Sequence, residues 1–185
     1  MKYALKNAVI LDGTKDMEPL RGQSVLVEGE TIVGLVPAGS EPMGFEPVDL
    51  SGKYLMPGLF NMHVHLAGSG KPQKKQRDNE KLVKTIMGSG LTRAVAYSMV
   101  RGFARDELMS GVTTIRTMGG LGNFDSRLRD EIAAGRQAGP RILAANQGIS
   151  VPCGHMAGSV AIAARSIDEA LAHLEQSERE GVDLF

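Results

Sequence analysis

Two histidines separated by one residue, His63 and His65, are the side chains of this sequence best suited to chemistry. They follow Pro57 and Gly58 and lie within an apolar run. In a β-strand successive side chains point to opposite faces, so His63 and His65 share one face and Val64 points to the other. Imidazole is the commonest metal-binding side chain, and two imidazoles on one face can each reach a single zinc ion at about 2.0–2.1 Å. We therefore predict a metal site at these two histidines.

The residues around the pair decide between a metal site and an ordinary polar strand face. An exposed strand can carry two histidines on its solvent side without any function. Here the neighbouring side chains are apolar on both faces, as in a buried parallel strand, and buried imidazoles need partners such as a metal ion. The apolar neighbours are Leu55, Leu59, Phe60, Met62, Val64 and Leu66. Rings that point apart, or that lie on a solvent-facing hairpin, would exclude the metal site.

The residues that lead into the pair resemble a known family. Residues 54–59 (YLMPGL), followed by His63-Val64-His65, look like the first barrel strand of the amidohydrolase superfamily, whose members are metal-dependent hydrolases on a (β/α)8 barrel. Further motifs are similar in order and spacing to the imidazolonepropionase-like and Xaa-Pro dipeptidase-like branch of that superfamily. These motifs are residues 111–116 (GVTTIR), Leu128-Arg129 with Ile132 and Gly135, residues 139–143 (GPRIL) and Gly154-His155.

The resemblance implies hydrolysis of an amide-type C–N bond in a peptide, an N-acyl amino acid or a cyclic amide, with one or two divalent metal ions, zinc being expected. His63 and His65 are the implied metal ligands, and His155 is implied to contact the substrate from the loop after the third barrel strand. The general base of such enzymes is an aspartate from a later strand, which we expect beyond the end of this chain, so no catalytic residue is assigned within it. Asn61 and Thr117 stand where many members have aspartate.

The elements that must position these residues begin with strands. An apolar run within residues 3–11 predicts one strand, and residues 23–28 and 31–36, on either side of Gly29, predict a β-hairpin. A polar connection follows the hairpin. We expect residues 1–54 to form an antiparallel layer, which the resemblance implies to be part of a small β-sandwich.

Residues 55–185 alternate between strand and helix patterns, which is typical of α/β proteins. Apolar and β-branched runs predict, after the strand of the histidine pair, strands at residues 112–118 and 140–145 and the beginning of a fourth at 181–185. Helical periodicity over 91–109, a helix capped by Asp125 or Ser126, and a capping box at Ser166 predict three helices. This order, with the resemblance, predicts the first half of a (β/α)8 TIM-type barrel.

Two loops that follow these strands bear on ligand binding, because the active sites of such barrels lie at the carboxyl ends of the strands. Residues 69–80 carry four basic side chains that can attract a substrate carboxylate, namely Lys71, Lys74, Lys75 and Arg77. The glycine cluster at 119–122 lacks the G-x-G-x-x-G spacing of a dinucleotide site. A further hypothesis, a Rossmann-like nucleotide binder built on the same alternation of strands and helices, therefore lacks its phosphate loop.

The length of the chain sets a second pair of alternatives. A complete (β/α)8 barrel takes about 250 residues, whereas this chain has 185. We therefore expect an N-terminal fragment that is inactive alone, and that forms a homo-oligomer or associates with the missing C-terminal half. The alternative is a mature, non-catalytic binding or assembly module of half-barrel type.

Charge and cysteine content limit the partners. Lysine plus arginine and aspartate plus glutamate number 21 each, which leaves no net field to attract nucleic acid or an anionic membrane. The single cysteine, Cys153, excludes an internal disulfide and suits a reducing compartment. The chain begins without the pattern of a signal peptide, and no apolar run approaches the roughly 18 residues of a membrane span. We expect a cytoplasmic protein that binds a small-molecule or dipeptide-like substrate.

Overall fold

The structure is a computed structural model and describes residues 1–70 and 78–185. These residues fall into two compact units, Met1–Pro57 and Gly58–Phe185. The described part of the first unit is built from strands and loops, and the described helices lie in the second unit. The fold class is therefore α/β, as the sequence predicts.

Short strands form the first unit. They are β1 (Lys2–Lys6), β2 (Val9–Ile10), β3 (Gln23–Glu28), β4 (Thr31–Pro37), β5 (Glu46–Asp49) and β6 (Tyr54–Leu55). The predicted hairpin is confirmed, because β3 and β4 pair antiparallel on either side of Gly29, which adopts φ 61°. The buried apolar side chains of this unit are Ala4, Ala8, Ile10, Val25 and Leu26.

The prediction of an antiparallel layer is wrong in two respects. First, β5 joins β1 in parallel, so the sheet order β4-β3-β1-β5 is mixed. Second, the single strand expected within residues 3–11 is two strands, because Asn7 adopts φ 64° and turns the chain between β1 and β2. Asparagine tolerates this left-handed conformation better than most residues, and Asn7 Nδ2 donates to Asp49 Oδ1 at 2.8 Å. As a result, β2 pairs in parallel with β6 in a separate sheet.

Glu41 attaches the connection after β4 to the sheet. Its carboxylate accepts hydrogen bonds from Ser24 Oγ at 2.6 Å, from the Gly39 backbone at 3.1 Å and from Lys6 Nζ at 3.2 Å. These donors, the Ser24 hydroxyl first, lower the pKa of Glu41 from 4.5 to about 2. The hydrogen bonds favour the ionised carboxylate, so they hold this connection in place while Glu41 is charged.

The second unit is built on a parallel sheet in the order β7 (Leu59–Val64), β8 (Val112–Thr117), β9 (Arg141–Leu143). Its described helices are α1 (Asn79–Met87), α2 (Gly90–Met109), α3 (Phe124–Ala133) and α4 (Ile167–Arg179). A small parallel pair, β10 (Gly148–Ser150) and β11 (Ala161–Ala163), completes it. The predicted strands β8 and β9 and the predicted helices α2 and α4 are confirmed, and Ser166 caps α4 by accepting from Glu169 N at 3.1 Å.

Three features of the second unit differ from the sequence predictions. The pattern does not predict α1, which begins after Asp78, whose carboxylate accepts from Lys81 N at 2.9 Å. The basic run at 71–77 lies outside the described residues. Helix α3 begins after Asn123. Asp125 and Ser126 therefore do not cap it but lie buried in its first turn. Residues 181–185 form no strand, although Asp183 N donates to the Ala144 carbonyl beside β9 at 2.8 Å.

A continuous apolar core lies between the sheet and the helices of this unit. It includes Val64 and Leu66 from the histidine segment, Ala96, Tyr97, Val100 and Ala104 from α2, Ile115 and Ile142 from the sheet, and Phe124 and Leu128 from α3. The core takes up the side chain of Val64 from β7, and the two histidines on either side of Val64 point to the opposite face. Within the described ranges, no helix has both the length and the apolar character needed to span a lipid bilayer.

Candidate metal centre

His63 and His65 bring their rings together at the carboxyl end of β7. The two Nε2 atoms lie 3.2 Å apart, and the ring centroids are separated by 5.1 Å with the planes inclined at 70°. Val64 points to the opposite face and is buried in the core. The rings therefore point toward one another from a strand of a parallel sheet, which is the arrangement that a shared cation requires.

The expectation that both faces of this strand are buried is wrong. Phe60 is 69% exposed and Met62 is 42% exposed, and His63 is exposed while His65 is half-buried. The reason is that β7 lies at one edge of the described sheet, and the apolar core takes up the side chain of Val64 but not those of Phe60 and Met62. The imidazoles are therefore accessible from solvent.

A backbone carbonyl orients the ring of His65. His65 Nδ1 lies 3.0 Å from the Gly119 carbonyl oxygen, and a carbonyl can only accept, so Nδ1 carries the proton and Nε2 is the bare nitrogen of the neutral ring. This is the usual way in which a metal-binding histidine has its tautomer fixed. Gly119 has φ 135°, and a Cβ there would lie 3.1 Å from the Val160 carbonyl and 3.3 Å from the His65 ring. A glycine is therefore required at this turn.

The backbone before the pair is irregular and held by an arginine. The register between β7 and β8 shifts between Asn61 and Val64. Within this shift, Arg116 Nε donates to the Met62 carbonyl at 2.8 Å, and His63 N donates to Asn61 Oδ1 at 3.3 Å. A bulge of this kind re-aims the side chains that follow it. Arg116 thus fixes the backbone from which His63 projects.

A buried carboxyl lies behind the same turn. Asp125 is 1% exposed, and its Oδ2 has no hydrogen-bond partner among the described residues. Burial raises the pKa of Asp125 from 3.8 to about 6, against the opposing effects of the Thr117 hydroxyl and of the nearby His65 ring. A Cβ on Gly120 would lie 2.5 Å from Asp125 Oδ2, so the carboxyl packs directly on that glycine.

Sequence reasoning missed Asp125, because the same position also reads as a helix cap. The signal that could have found it is its place soon after a glycine cluster at the carboxyl end of a barrel strand. Arg116 and Gly119 were likewise not assigned to the site, since hydrogen bonds between neighbouring strands and loops leave no periodic pattern in the sequence.

The donor set of the histidine pair fits a divalent metal in chemistry and in spacing. Two nitrogens that each lie about 2.0–2.1 Å from one tetrahedral ion are separated by about 3.3–3.4 Å, close to the observed 3.2 Å between the Nε2 atoms. Within residues 1–70 and 78–185, no group of three or more histidine, cysteine, aspartate or glutamate side chains could hold a metal ion. The described chain thus offers two side chains for a metal centre that would need at least one more ligand.

An open cleft of about 640 Å³ adjoins the pair. Its wall combines polar groups, including Asn61 and Ser110, with apolar side chains such as Leu82, Ile86 and Leu121. The segment after β10 contributes Met156, Ser159 and Val160.

Neither of the other two histidines lines the cleft. His155 is exposed in the turn between β10 and β11 and is not among the side chains that line the cleft, although its neighbour Met156 is. His155 forms no group with the pair that could hold a metal ion within the described residues, and its contact with substrate stays a prediction. His173 on α4 is half-buried, and its Nε2 lies 2.8 Å from the Gln147 carbonyl.

Comparisons with known proteins bear on the family of the chain. Residues 54–184 match the sequence profile of the Amidohydrolase family. The chain is 36% identical over 75 residues to dihydroorotase of Bacillus pumilus (strain SAFR-032), across 40% of this chain and 17% of that protein.

Solved structures resemble the chain over nearly its full length. A prolidase candidate from Bifidobacterium longum superposes with a TM-score of 0.72 at 32% identity, covering 98% of this chain and 39% of its own. A Xaa-Pro dipeptidase with methionine bound in its active site superposes with a TM-score of 0.71 at 24% identity, covering 99% of this chain and 46% of its own. This chain therefore spans less than half the length of each of these proteins.

Proposed function

Because the chain belongs to the amidohydrolase family, we propose that His63 and His65 hold a divalent metal ion, zinc being the first choice, in an enzyme that hydrolyses an amide-type C–N bond. The observation that carries this proposal is the separation of 3.2 Å between the two Nε2 atoms. Two bare imidazole nitrogens repel one another at that distance, so either a proton carried by His63 Nε2 or a shared cation lies between them. Membership of the amidohydrolase family favours the cation.

The chain's own residues have distinct parts in such a site. His63 and His65 bring their Nε2 atoms within 3.2 Å of each other, and the Gly119 carbonyl keeps His65 in the required tautomer through the hydrogen bond to Nδ1. Arg116 holds the irregular backbone before His63 through the Met62 carbonyl. A divalent ion bound at this point supplies the activation of water and the polarisation of a carbonyl group that define metal-assisted hydrolysis.

The proposal limits what the 185-residue chain does by itself. A catalytic zinc site has three protein ligands and an open position, whereas the described chain offers two histidines. We therefore expect this chain to bind zinc weakly. The family's general base is not assigned to any of its residues, and hydrolysis is proposed for a longer polypeptide that contains these residues.

The substrate proposed is a dipeptide-like compound, with N-acyl amino acids and cyclic amides as the other members of the class. The likeness to the Bifidobacterium longum prolidase candidate extends over 98% of the chain, whereas the likeness to dihydroorotase extends over 40%. The longer match favours the dipeptide. His155 stays a proposed substrate contact, and replacing it with alanine should raise KM more than it lowers kcat.

Titration with Zn²⁺ tests the metal site directly. Isothermal calorimetry on the 185-residue chain should show one weak site in the unaltered protein and at least a tenfold loss of affinity in His63→Ala and in His65→Ala. His173→Gln is the matched control, because it removes a histidine that bonds the Gln147 carbonyl away from the pair. Co²⁺ added to the unaltered chain should give visible absorption bands that the double variant lacks.

Two outcomes would contradict the proposal. One is a double variant, His63→Ala with His65→Ala, that binds Zn²⁺ as tightly as the unaltered chain. The other is a longer natural polypeptide, containing these residues, that cleaves Xaa-Pro dipeptides or dihydroorotate at the same rate with and without a chelator. Cleavage that is lost on chelation and restored by Zn²⁺ is the expected result.

Exposed apolar side chains on β7 favour a second candidate function, that of an assembly module. Leu59 is 48% exposed and Phe60 is 69% exposed on the strand that carries the histidines. Exposure of such side chains to water is unfavourable, at about 25 cal/mol for each Å² of apolar surface. Burying them against a second copy or a further segment of chain would therefore stabilise that association. Light scattering should then show an oligomer that Phe60→Lys converts to monomer, and a monomeric unaltered chain would exclude this role.

A further inference from the structure

Asp125 is a buried ionisable side chain that the proposed mechanism leaves without a part. Its side chain is within the core of the second unit, at 1% exposure, and one carboxyl oxygen has no hydrogen-bond partner among the described residues. Nearly all buried polar side chains are satisfied, because an unsatisfied carboxyl is costly to remove from water. A buried carboxyl that remains unsatisfied therefore calls for a compensating role, and its position points to the histidine pair.

A short chain of contacts joins Asp125 to His65. The carboxyl packs on Gly120, where even a methyl group would approach Oδ2 to 2.5 Å. Gly120 follows Gly119, whose carbonyl accepts the hydrogen bond from His65 Nδ1 at 3.0 Å. The carboxyl thus supports, from the core side, the turn that orients the His65 ring. Thr117, fully buried at the end of β8, lies beside the same carboxyl.

The charge of the carboxyl acts in the same direction as its packing. The His65 ring lowers the pKa of Asp125 while burial raises it, so the two groups attract one another when both are charged. The imidazole becomes more positive when its Nε2 binds a cation. In the buried surroundings of Asp125 such an attraction is screened less than it is at the surface.

We propose that Asp125 is a positioning residue of the metal centre: its carboxylate fixes the Gly119-Gly120 turn that orients His65 and strengthens the hold of the histidine pair on a divalent cation. This inference rests on the proposed function, because it requires that the pair binds a cation. Asp125, a buried residue of α3, would then support cation binding in addition to packing in the core.

Two substitutions separate shape from charge. Asp125→Asn keeps the size of the side chain and removes the charge, whereas Asp125→Ala removes both. Outer groups that support metal ligands typically change metal affinity by about 10-fold to 100-fold when they are replaced, so we expect Zn²⁺ affinity to fall about 10-fold in Asp125→Asn and further in Asp125→Ala. Asp130→Asn is the matched control on the same helix, since the Asp130 side chain is 62% exposed, and its affinity should stay within twofold of the unaltered chain.

A second measurement needs no substitution and keeps the inference testable if a variant fails to fold. The ¹³C carboxyl resonance of Asp125 in the unaltered chain should move when Zn²⁺ is added, together with the ring nitrogens of His65, while that of Asp130 stays fixed. Equal Zn²⁺ affinity in the unaltered chain and in folded Asp125→Asn would overturn the inference, as would a fixed Asp125 resonance during a His65 shift. An unaltered chain that binds no Zn²⁺ at all would instead refute the proposed function, and this inference with it.

Discussion

Removing the charge of Asp125 should stabilise the metal-free chain, and the effect should depend on pH. The structure raises the pKa of this carboxyl from 3.8 to about 6, chiefly through burial. A difference of this size corresponds to about 3 kcal/mol, at about 1.4 kcal/mol for each pKa unit. Asp125 is 1% exposed, so solvent screening reduces this figure little.

The sign of the effect follows from the direction of the pKa change. The folded state holds the proton of Asp125 more tightly than the unfolded state does, so the folded chain loses stability as pH rises from about 4 to about 6. Below this window the buried group is neutral in both states and carries no charge penalty. Above pH 6 the full penalty applies. Asp125→Asn should therefore match the unaltered chain near pH 4 and exceed its stability by about 3 kcal/mol near pH 8.

Urea unfolding of the metal-free protein measures this difference. The described helices all lie in the second unit, so far-ultraviolet circular dichroism at the helix band reports the unit that contains Asp125. The expected gain near pH 8 corresponds to about 6–12 °C in melting temperature for a chain of this size. Asp130→Asn is the control, because loss of an exposed ion pair changes stability by only about 0–1 kcal/mol.

A stability difference between Asp125→Asn and the unaltered chain that is the same at pH 4 and pH 8 would refute the reasoning. It would mean that Asp125 keeps an ordinary pKa, either because the Thr117 hydroxyl and the His65 ring fully offset its burial or because the carboxyl is hydrated. Direct observation of the Asp125 carboxyl by NMR over the same pH range checks this result, since a carboxyl with an ordinary pKa titrates near 3.8 and not near 6.

Three further predictions concern the turn, the bulge and the first unit. Gly119→Ala should destabilise the chain by about 1–3 kcal/mol and weaken Zn²⁺ binding, because the new methyl group meets the His65 ring and the backbone φ is 135°. Arg116→Met should weaken Zn²⁺ binding several-fold with little change in urea midpoint, because it frees the Met62 carbonyl at the register shift. Glu41, whose pKa is lowered from 4.5 to about 2, should stabilise the first unit above pH 4.5 and lose this contribution as pH falls toward 2, which NMR titration of Glu41 and its glutamine variant can follow.

Each of these predictions has a control in the same unit. Gly68→Ala should be silent, because nothing lies within 4 Å of a Cβ at that position. Arg141→Met removes an exposed arginine from β9 without touching β7. Glu30→Gln removes a carboxylate from the exposed turn of the β3–β4 hairpin. A loss of Zn²⁺ affinity in Gly68→Ala or Arg141→Met as large as in its test variant would contradict the specific contacts invoked.

The convergence of the histidines could be predicted from sequence because it depends on one local rule. Residues two apart on a strand share a face, and this holds wherever the strand lies in the fold. The hairpin of β3 and β4 and the capping box at Ser166 are local in the same sense. The exposure of His63 could not be predicted, because it depends on which elements cover the strand.

Features that depend on distant partners were beyond sequence reasoning. The parallel pairing of β5 with β1 joins residues more than forty positions apart, and the turn at Asn7 is visible only through its left-handed backbone. By sequence Asp125 is one of two plausible helix caps, and only the tertiary structure shows that it is buried in the first turn of α3 and packs on Gly120. An aspartate at such a position is therefore compatible with a helix cap or with a buried role until the tertiary contacts are known.

The two expected effects of Asp125 have opposite signs, and this opposition separates a supporting role in cation binding from simple packing. Without metal, its buried charge destabilises the folded chain at neutral pH, so Asp125→Asn should raise stability. With Zn²⁺ bound at His63 and His65, the same charge faces a more positive ring, so Asp125→Asn should lower affinity. A residue that only fills space would change stability and affinity in the same direction when replaced, because a looser turn weakens both. Measuring unfolding with and without saturating Zn²⁺ in the same two proteins thus tests the coupling, since ligand binding adds to stability in proportion to its affinity for the folded state.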